Sequence, residues 1–222
     1  MGKLIVFEGT DGSGKSTQFE LLAKRLEAEQ IGFQRLRFPQ YEEPSSALIR
    51  MYLGGAFGDD PEAVNAYAAS TFYAVDRYAS YQRVWKDYYQ GGGFVVSDRY
   101  TTSNAVHQGS KVPEGERAEF FRWLYDLEYD RMGLPRPDLV VLLDMPVELS
   151  EQLMRKREQS TGTHADIHER NEDYLKKCCD VALHAAKYYG WRTVSCAKDG
   201  AIRGVEDIHE EVYAIVKSCL ED

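Results

Sequence analysis

The run Glu8-Gly9-Thr10-Asp11-Gly12-Ser13-Gly14-Lys15-Ser16-Thr17 constrains this chain more than any other feature. Residues 9–16 match G-x-x-x-x-G-K-[ST], the pattern of a loop that wraps the phosphates of a nucleotide. Glycines let backbone N–H groups turn inward around phosphate oxygens with no Cβ in the way. Lys15 is expected to bridge the β- and γ-phosphates, and the Ser16 hydroxyl to hold Mg²⁺. The pattern requires a strand before it and a helix after it. Residues 4–7 (Leu-Ile-Val-Phe) lead in as an apolar strand. Phe19, Leu22, Ala23 and Leu26 follow at the i, i+3, i+4, i+7 spacing, which predicts a helix over about residues 16–29 with its positive N-terminus toward the anion. Gly9, Thr10, Asp11, Gly12, Ser13, Gly14, Lys15, Ser16 and Thr17 are therefore the expected triphosphate contacts. The loop alone does not separate a kinase from a GTPase or a motor ATPase.

Four more β-like runs follow, at residues 33–38, 94–97, 139–143 and 191–195. Phe-Val-Val and Leu-Val-Val-Leu-Leu are continuously apolar, as strands covered on both faces should be. Helical stripes lie between them. One is Phe121, Leu124, Leu127 and Met132, which is irregular. Another is Ile208, Val212, Ile215 and Val216. Strands alternating with helices predict a five-stranded parallel sheet flanked by helices, an α/β P-loop NTPase fold. A length of 222 residues suits one domain, 1–222, and 15 Tyr, 9 Phe and 3 Trp can fill its core. Residues 110–115 and 159–165 read as polar loops, the second as a flap.

The net charge of −9 argues against a nucleic-acid partner, whose footprint would be basic. No run approaches the roughly 20 apolar residues that span a membrane, and the N-terminal stretch reads as a strand rather than a signal peptide. Cys178, Cys179, Cys196 and Cys219 form no C-x-x-C pair and read as thiols of a reducing cytosol, so a cytoplasmic address is expected.

The carboxyl ends of parallel strands are where α/β sheets bind ligands. Asp98 ends one apolar run, where a carboxylate can reach Mg²⁺, and Arg99 beside it can present its planar fork to a phosphate. Tyr73 and Arg77 are four apart on a predicted helix and share a face.

With the loop, four further segments complete a resemblance to the thymidylate kinases. They are Phe38-Pro39, Phe72-Tyr73-Ala74-Val75-Asp76-Arg77, Ser97-Asp98-Arg99-Tyr100 with Ser103-Asn104, and Gly133-Leu134-Pro135-Arg136-Pro137-Asp138 followed by Leu143-Asp144-Met145-Pro146. The resemblance spans roughly residues 3–220. It implies transfer of the γ-phosphoryl of ATP to thymidine monophosphate (dTMP), with Mg²⁺, in a homodimer built on helices flanking the acceptor site. By the same resemblance Arg77 clamps the acceptor phosphate, Tyr73 stacks on the base, and Asn104 faces the base edge. Phe38, Tyr41, Arg99 and Gln108 join the acceptor contacts, and Asp11 approaches the sugar 3′-hydroxyl or the Arg77 region.

His107 stands where similar chains often carry Tyr, so it reads equally as a sugar neighbour or a filler. Gln40-Tyr41 occupy the place after Phe-Pro where Arg is frequent, which leaves one phosphate contact either missing or supplied by Arg37. Gly12 and Ser13 stand where some similar chains have a catalytic Arg. That leaves the lid, about residues 155–169, to bring Arg155 or Arg157, with Glu169 as a third metal candidate beside Ser16 and Asp98. Two other readings remain open at this point: a kinase for another nucleoside or monophosphate, and a non-catalytic nucleotide-binding protein. A GTPase switch is disfavoured because no Asn-Lys-x-Asp segment is present.

Overall fold

The protein is described here by a computed structural model covering residues 1–161 and 172–221. Strand β1 (Lys3–Glu8) leads through the glycine loop into helix α1 (Lys15–Ala28), and β2 (Gln34–Arg37) follows. Next come α2 (Ala47–Leu53), α3 (Ala66–Ser80), α4 (Lys86–Gln90), β3 (Phe94–Asp98), α5 (Thr101–His107) and α6 (Arg117–Tyr125). The chain then runs through β4 (Leu139–Asp144), α7 (Val147–Thr161), α8 (Glu172–Tyr189) and β5 (Arg192–Ser195). It closes with a small hairpin, β6 (Ala197–Lys198) and β7 (Ala201–Ile202), and α9 (Val205–Glu221).

The five main strands form one parallel sheet in the order β2-β3-β1-β4-β5. Successive side chains of a strand point to opposite faces. Leu4 and Val6 therefore enter a core with Trp85, Phe120, Phe121 and Val181, whereas Ile5 and Phe7 enter one with Phe19, Leu22, Val212 and Val216. Both layers are buried, and each such side chain contributes roughly 1.5–3 kcal/mol on leaving water. The segment 133–138 locks β4 beside β1: Leu4 donates its N–H to Asp138 Oδ2 at 2.7 Å, and Asp138 N–H donates back to Leu4 O at 2.9 Å.

All five expected strands are present, each within a residue or two of its predicted ends. The β6–β7 hairpin is too short to leave a pattern in the sequence. The expected loop at 110–115 is two 3₁₀ turns with Ser110 and Val112 buried. The expected flap begins as helix, because α7 continues to Thr161 through a run of good helix formers. Residues 162–165 of that flap, and Glu169 of the lid beyond it, lie outside the described residues.

The irregular stripe after Phe121 has a structural cause. Phe121 and Leu124 are buried, and then Asp126–Arg131 form a π-helical turn that buries Glu128 and Tyr129. One extra residue per turn rotates the inward face, so a 3.6-residue period cannot continue through it.

Candidate active site

The loop between β1 and α1 needs its glycines. Gly12 has φ 77°, and a Cβ there would lie 2.4 Å from Ser150 O of α7. Gly14, at φ 84°, is the left-handed residue that starts α1. The Lys15 ammonium folds back over the loop and donates to Gly9 O at 2.7 Å and Thr10 O at 3.2 Å. Burial and then the neighbouring Arg99 cation lower its pKa, against the pull of Asp11, Asp98 and Glu8. Thr10 is buried and accepts from Cys179 Sγ–H at 3.6 Å, while Thr17 is exposed. Ser13 Oγ is buried with no hydrogen-bond partner among the described residues.

A cleft of about 340 Å³ opens at the carboxyl ends of β1, β2 and β3. Asp11, Lys15, Ser16, Phe38, Tyr41, Tyr73, Arg77, Asp98, Arg99, Asn104 and Gln108, scattered over almost a hundred positions, all line it. Arg37, Pro39, Leu53, Tyr100, Ser103 and His107 complete the wall. The peptide between Phe38 and Pro39 is cis. Of the two neighbouring aromatics, Tyr73 faces the cleft, whereas Phe72 packs on Phe57 with ring centroids 6.0 Å apart.

Arg99 sits at the centre. Its φ of 68° is unusual for a residue with a side chain, and the turn is held by Ser97 Oγ–H donating to Arg99 O at 2.6 Å and by Arg99 N–H donating to Phe7 O at 3.0 Å. Such strain is characteristic of functional positions. Its guanidinium donates to Asp11 Oδ1 at 2.5 Å and lies 3.0 Å from His107 Nε2, 3.4 Å from Ser103 Oγ and 3.7 Å from Glu8 Oε1. Burial opposes its charge, but Asp11, Glu8 and Asp98 outweigh burial and raise its pKa.

Arg77 is neutralised. Its Nε and one terminal nitrogen donate to the two oxygens of Glu128 at 2.6 and 2.5 Å, with both side chains buried. Glu128 also accepts from Thr101 Oγ1 at 2.6 Å and Asn104 Nδ2 at 3.4 Å. Asp98 Oδ2 accepts from Arg37 Nε at 3.1 Å, and its buried Oδ1 has no partner among the described residues. Gln108 is buried with both amide atoms unpartnered among the described residues.

Arg155 projects from the exposed side of α7, 3.7 Å from Glu151. The Arg157 side chain lies outside the described residues.

Two carboxylates escaped the sequence reading. Glu8 accepts from Thr102 Oγ1 and Ser103 Oγ, both at 2.7 Å, and from Gly9 N–H at 3.0 Å. Its only sequence signal was a charge closing an apolar strand. Glu128 had none, since its burial depends on the π-helical turn.

The arrangement can hold two anions side by side, one in the glycine loop and one before Arg99. Comparisons with known proteins show what the chain is similar to. A family model described as thymidylate kinase matches residues 7–212. The thymidylate kinase of Mycobacterium tuberculosis (strain CDC 1551 / Oshkosh) is 33% identical over 199 residues, covering 88% of this chain and 92% of that one. The probable thymidylate kinase of Thermococcus gammatolerans is 33% identical over 221 residues, covering 98% and 97%. The solved thymidylate kinase of Candida albicans, at 22% identity, superposes with a TM-score of 0.72 over 98% of this chain and 92% of that one, which is a likeness of fold.

Proposed function

The chain belongs to the thymidylate kinase family, and from that premise we propose how its residues divide the work. The reaction is ATP-dependent phosphorylation of dTMP to dTDP. An oxygen of the dTMP phosphate bonds to the γ-phosphorus as the bond from that phosphorus to the β-phosphate oxygen breaks, and ADP leaves with the electron pair. The acceptor phosphate is already nucleophilic at neutral pH, so no general base is needed. Alignment and charge neutralisation carry the rate.

Loop amides from Gly9 to Thr17 and Lys15 hold the triphosphate, and Arg99 holds the acceptor phosphate beside it. The observation that carries this reading is the single cleft that joins Lys15 to Arg99. Arg77 takes a different part from the phosphate clamp that the resemblance implies. Glu128 cancels its charge, so its remaining N–H groups suit a neutral carbonyl on the base better than a dianion. Asn104 and the amide of Gln108, unpartnered among the described residues, supply donors and acceptors for the same base edge, and Tyr73 stacks on the ring at roughly 0.5–1.5 kcal/mol. Phe38 and Tyr41 wall the acceptor side. Asp11 orients Arg99. Arg155 or Arg157 supplies the cation that closes over the transferring group.

The reaction needs a divalent ion, and we assign Mg²⁺. The donor set fits a hard cation. Ser16 offers a hydroxyl and Asp98 an orphaned buried oxygen in the same cleft, and Mg²⁺ typically takes one or two carboxylates and keeps several waters. Bound there, it would neutralise charge on the β- and γ-oxygens. Glu169 stays a third candidate ligand.

We also assign a homodimer. The outer face of α3 shows Tyr67, Val75 and Tyr78 to solvent, and neighbouring α2 adds Leu48 and Met51. A second copy would cover this apolar face. No helix among the described residues is long and apolar enough to cross a membrane. The buried thiols of Cys178 and Cys196 support a cytoplasmic address.

The test is an ATP phosphorylation assay over a panel of nucleosides and monophosphates. Thymidylate should be the best acceptor, bare thymidine inert, and deoxyuridylate about 10–200-fold less efficient for lack of one methyl. Equal efficiency with thymidine and thymidylate would remove the phosphate role of Arg99.

A further inference from the structure

We propose that His107 is a positioning residue, a neutral imidazole that accepts a hydrogen bond from Arg99 and fixes that guanidinium beside the phosphate loop. The proposal rests on the reading of Arg99 as the acceptor-phosphate group.

The contact dictates the protonation state. Arginine has donors and no acceptor. With Arg99 3.0 Å away, Nε2 of His107 must offer its lone pair, so the ring proton sits on Nδ1. Nδ1 lies 3.7 Å from Cys178 Sγ, a hydrogen-bond distance for sulfur. Cys178 remains a thiol there, since burial pushes its pKa up to about 12. The ring is held from α8 as well. Tyr174 stacks at a centroid distance of 6.3 Å, and its hydroxyl donates to His107 O at 2.9 Å. His107 is only 8% exposed. These restraints define where the acceptor lone pair points.

Arg99 leaves β3 through a left-handed residue, so its direction is not set by the strand. One end of its fork is fixed by Asp11 of the phosphate loop and the other by His107 of α5. Without His107 that second end keeps, among the described residues, the longer approaches to Ser103 and Glu8, at 3.4 and 3.7 Å. A small error in a phosphate-binding group can cost about 100-fold in rate.

The sign of the pH effect follows from the neighbours. Facing His107 are Arg99, with Asp11 and Glu8 behind it, and Cys178 and Tyr174 from α8. A second ring proton would convert Nε2 into a donor and place a cation against a cation. Both changes release Arg99, so efficiency should fall as the imidazole protonates.

The test compares His107→Phe, His107→Gln and Arg99→Ala with the parent enzyme in steady-state kinetics from pH 5.5 to 8.5. It adds a nitrogen-15 NMR spectrum of the parent protein to read the His107 tautomer. His107→Phe keeps the ring volume without the acceptor and should lower kcat about 10–100-fold with less change in the thymidylate KM. His107→Gln offers a non-titrating oxygen. It should recover most of kcat and lose the part of the acidic limb that exceeds the titration of thymidylate itself. The spectrum should show protonated Nδ1 and bare Nε2.

A protonated Nε2 overturns the proposal, as does unchanged kcat in His107→Phe while Arg99→Ala is inactive. A His107→Gln enzyme as slow as His107→Phe with the parent's acidic limb also overturns it. An active Arg99→Ala enzyme refutes the reading of Arg99, and the positioning role of His107 with it, whereas the spectrum reports the contact independently of turnover. Should His107→Phe fail to fold, His107→Gln and the spectrum decide.

Discussion

Replacing Glu128 by Ala should destabilise the protein by roughly 3–5 kcal/mol, the cost of leaving one member of a buried ion pair uncompensated. The structure supports the full range. The Arg77 side chain is 2% exposed and the Glu128 side chain 0%, so the stranded guanidinium meets water only along its narrow edge on the cleft. Thr101 Oγ1 loses its acceptor at the same time, and Asn104 Nδ2 is left with Ser70 O alone at 3.2 Å. For a chain of this length each kcal/mol moves the melting temperature by about 2–4 °C, so the expected drop is roughly 6–20 °C. Urea unfolding monitored by tryptophan fluorescence gives the free energy directly. The decisive comparison is Glu128→Leu combined with Arg77→Met. An apolar pair of similar volume often equals or exceeds a buried ion pair in stability. The double variant should therefore regain more than half of the loss while its thymidylate KM stays raised, because the Arg77 N–H groups are gone. A loss below about 1 kcal/mol in Glu128→Ala would refute the argument, and so would a double variant no more stable than the single one.

Gln108→Leu removes two buried amide atoms that have no partner among the described residues. It should leave the free protein as stable or up to about 1 kcal/mol more stable, yet weaken thymidylate binding about 5–100-fold, measured by calorimetry. Gly12→Ala forces a Cβ to 2.4 Å from Ser150 O at φ 77°. It should weaken ATP binding at least about 10-fold, read by nucleotide titration. Arg155→Ala and Arg157→Ala are expected to lower turnover far more than they weaken thymidylate binding, and unchanged kcat in both would take them out of the mechanism. Burial pushes the Cys196 thiol up to about 12 from an ordinary 9.0, so the folded chain keeps a proton that the unfolded chain gives up. That stability is complete below pH 9 and is lost as pH rises toward 12, at up to about 1.4 kcal/mol per pH unit. Cys196→Ala should flatten the alkaline slope in urea melts taken between pH 8.5 and 10.5, and an unchanged slope would contradict it.

Local physics was enough for the glycine loop, the five strands and the pairing of Tyr73 with Arg77 on one helix face. Glycine conformations, strand periodicity and the i+4 repeat are all written within a few residues of one another. Asp98 and Arg99 were legible for the same reason, as the charged end of an apolar strand that parallel-sheet topology turns into a ligand edge. Packing decided the rest. Glu128 reaches Arg77 from 51 positions away, and only after a π-helical turn rotates it inward. Glu8 becomes a hub because α5 brings Thr102 and Ser103 to it. His107 could be read from sequence as a sugar neighbour or a filler. Its role depends on where α8 places Cys178 and Tyr174 and on the left-handed turn that aims Arg99. Hydrogen-bond partners at such separations follow from how helices settle on the sheet, and no short stretch of residues carries that information.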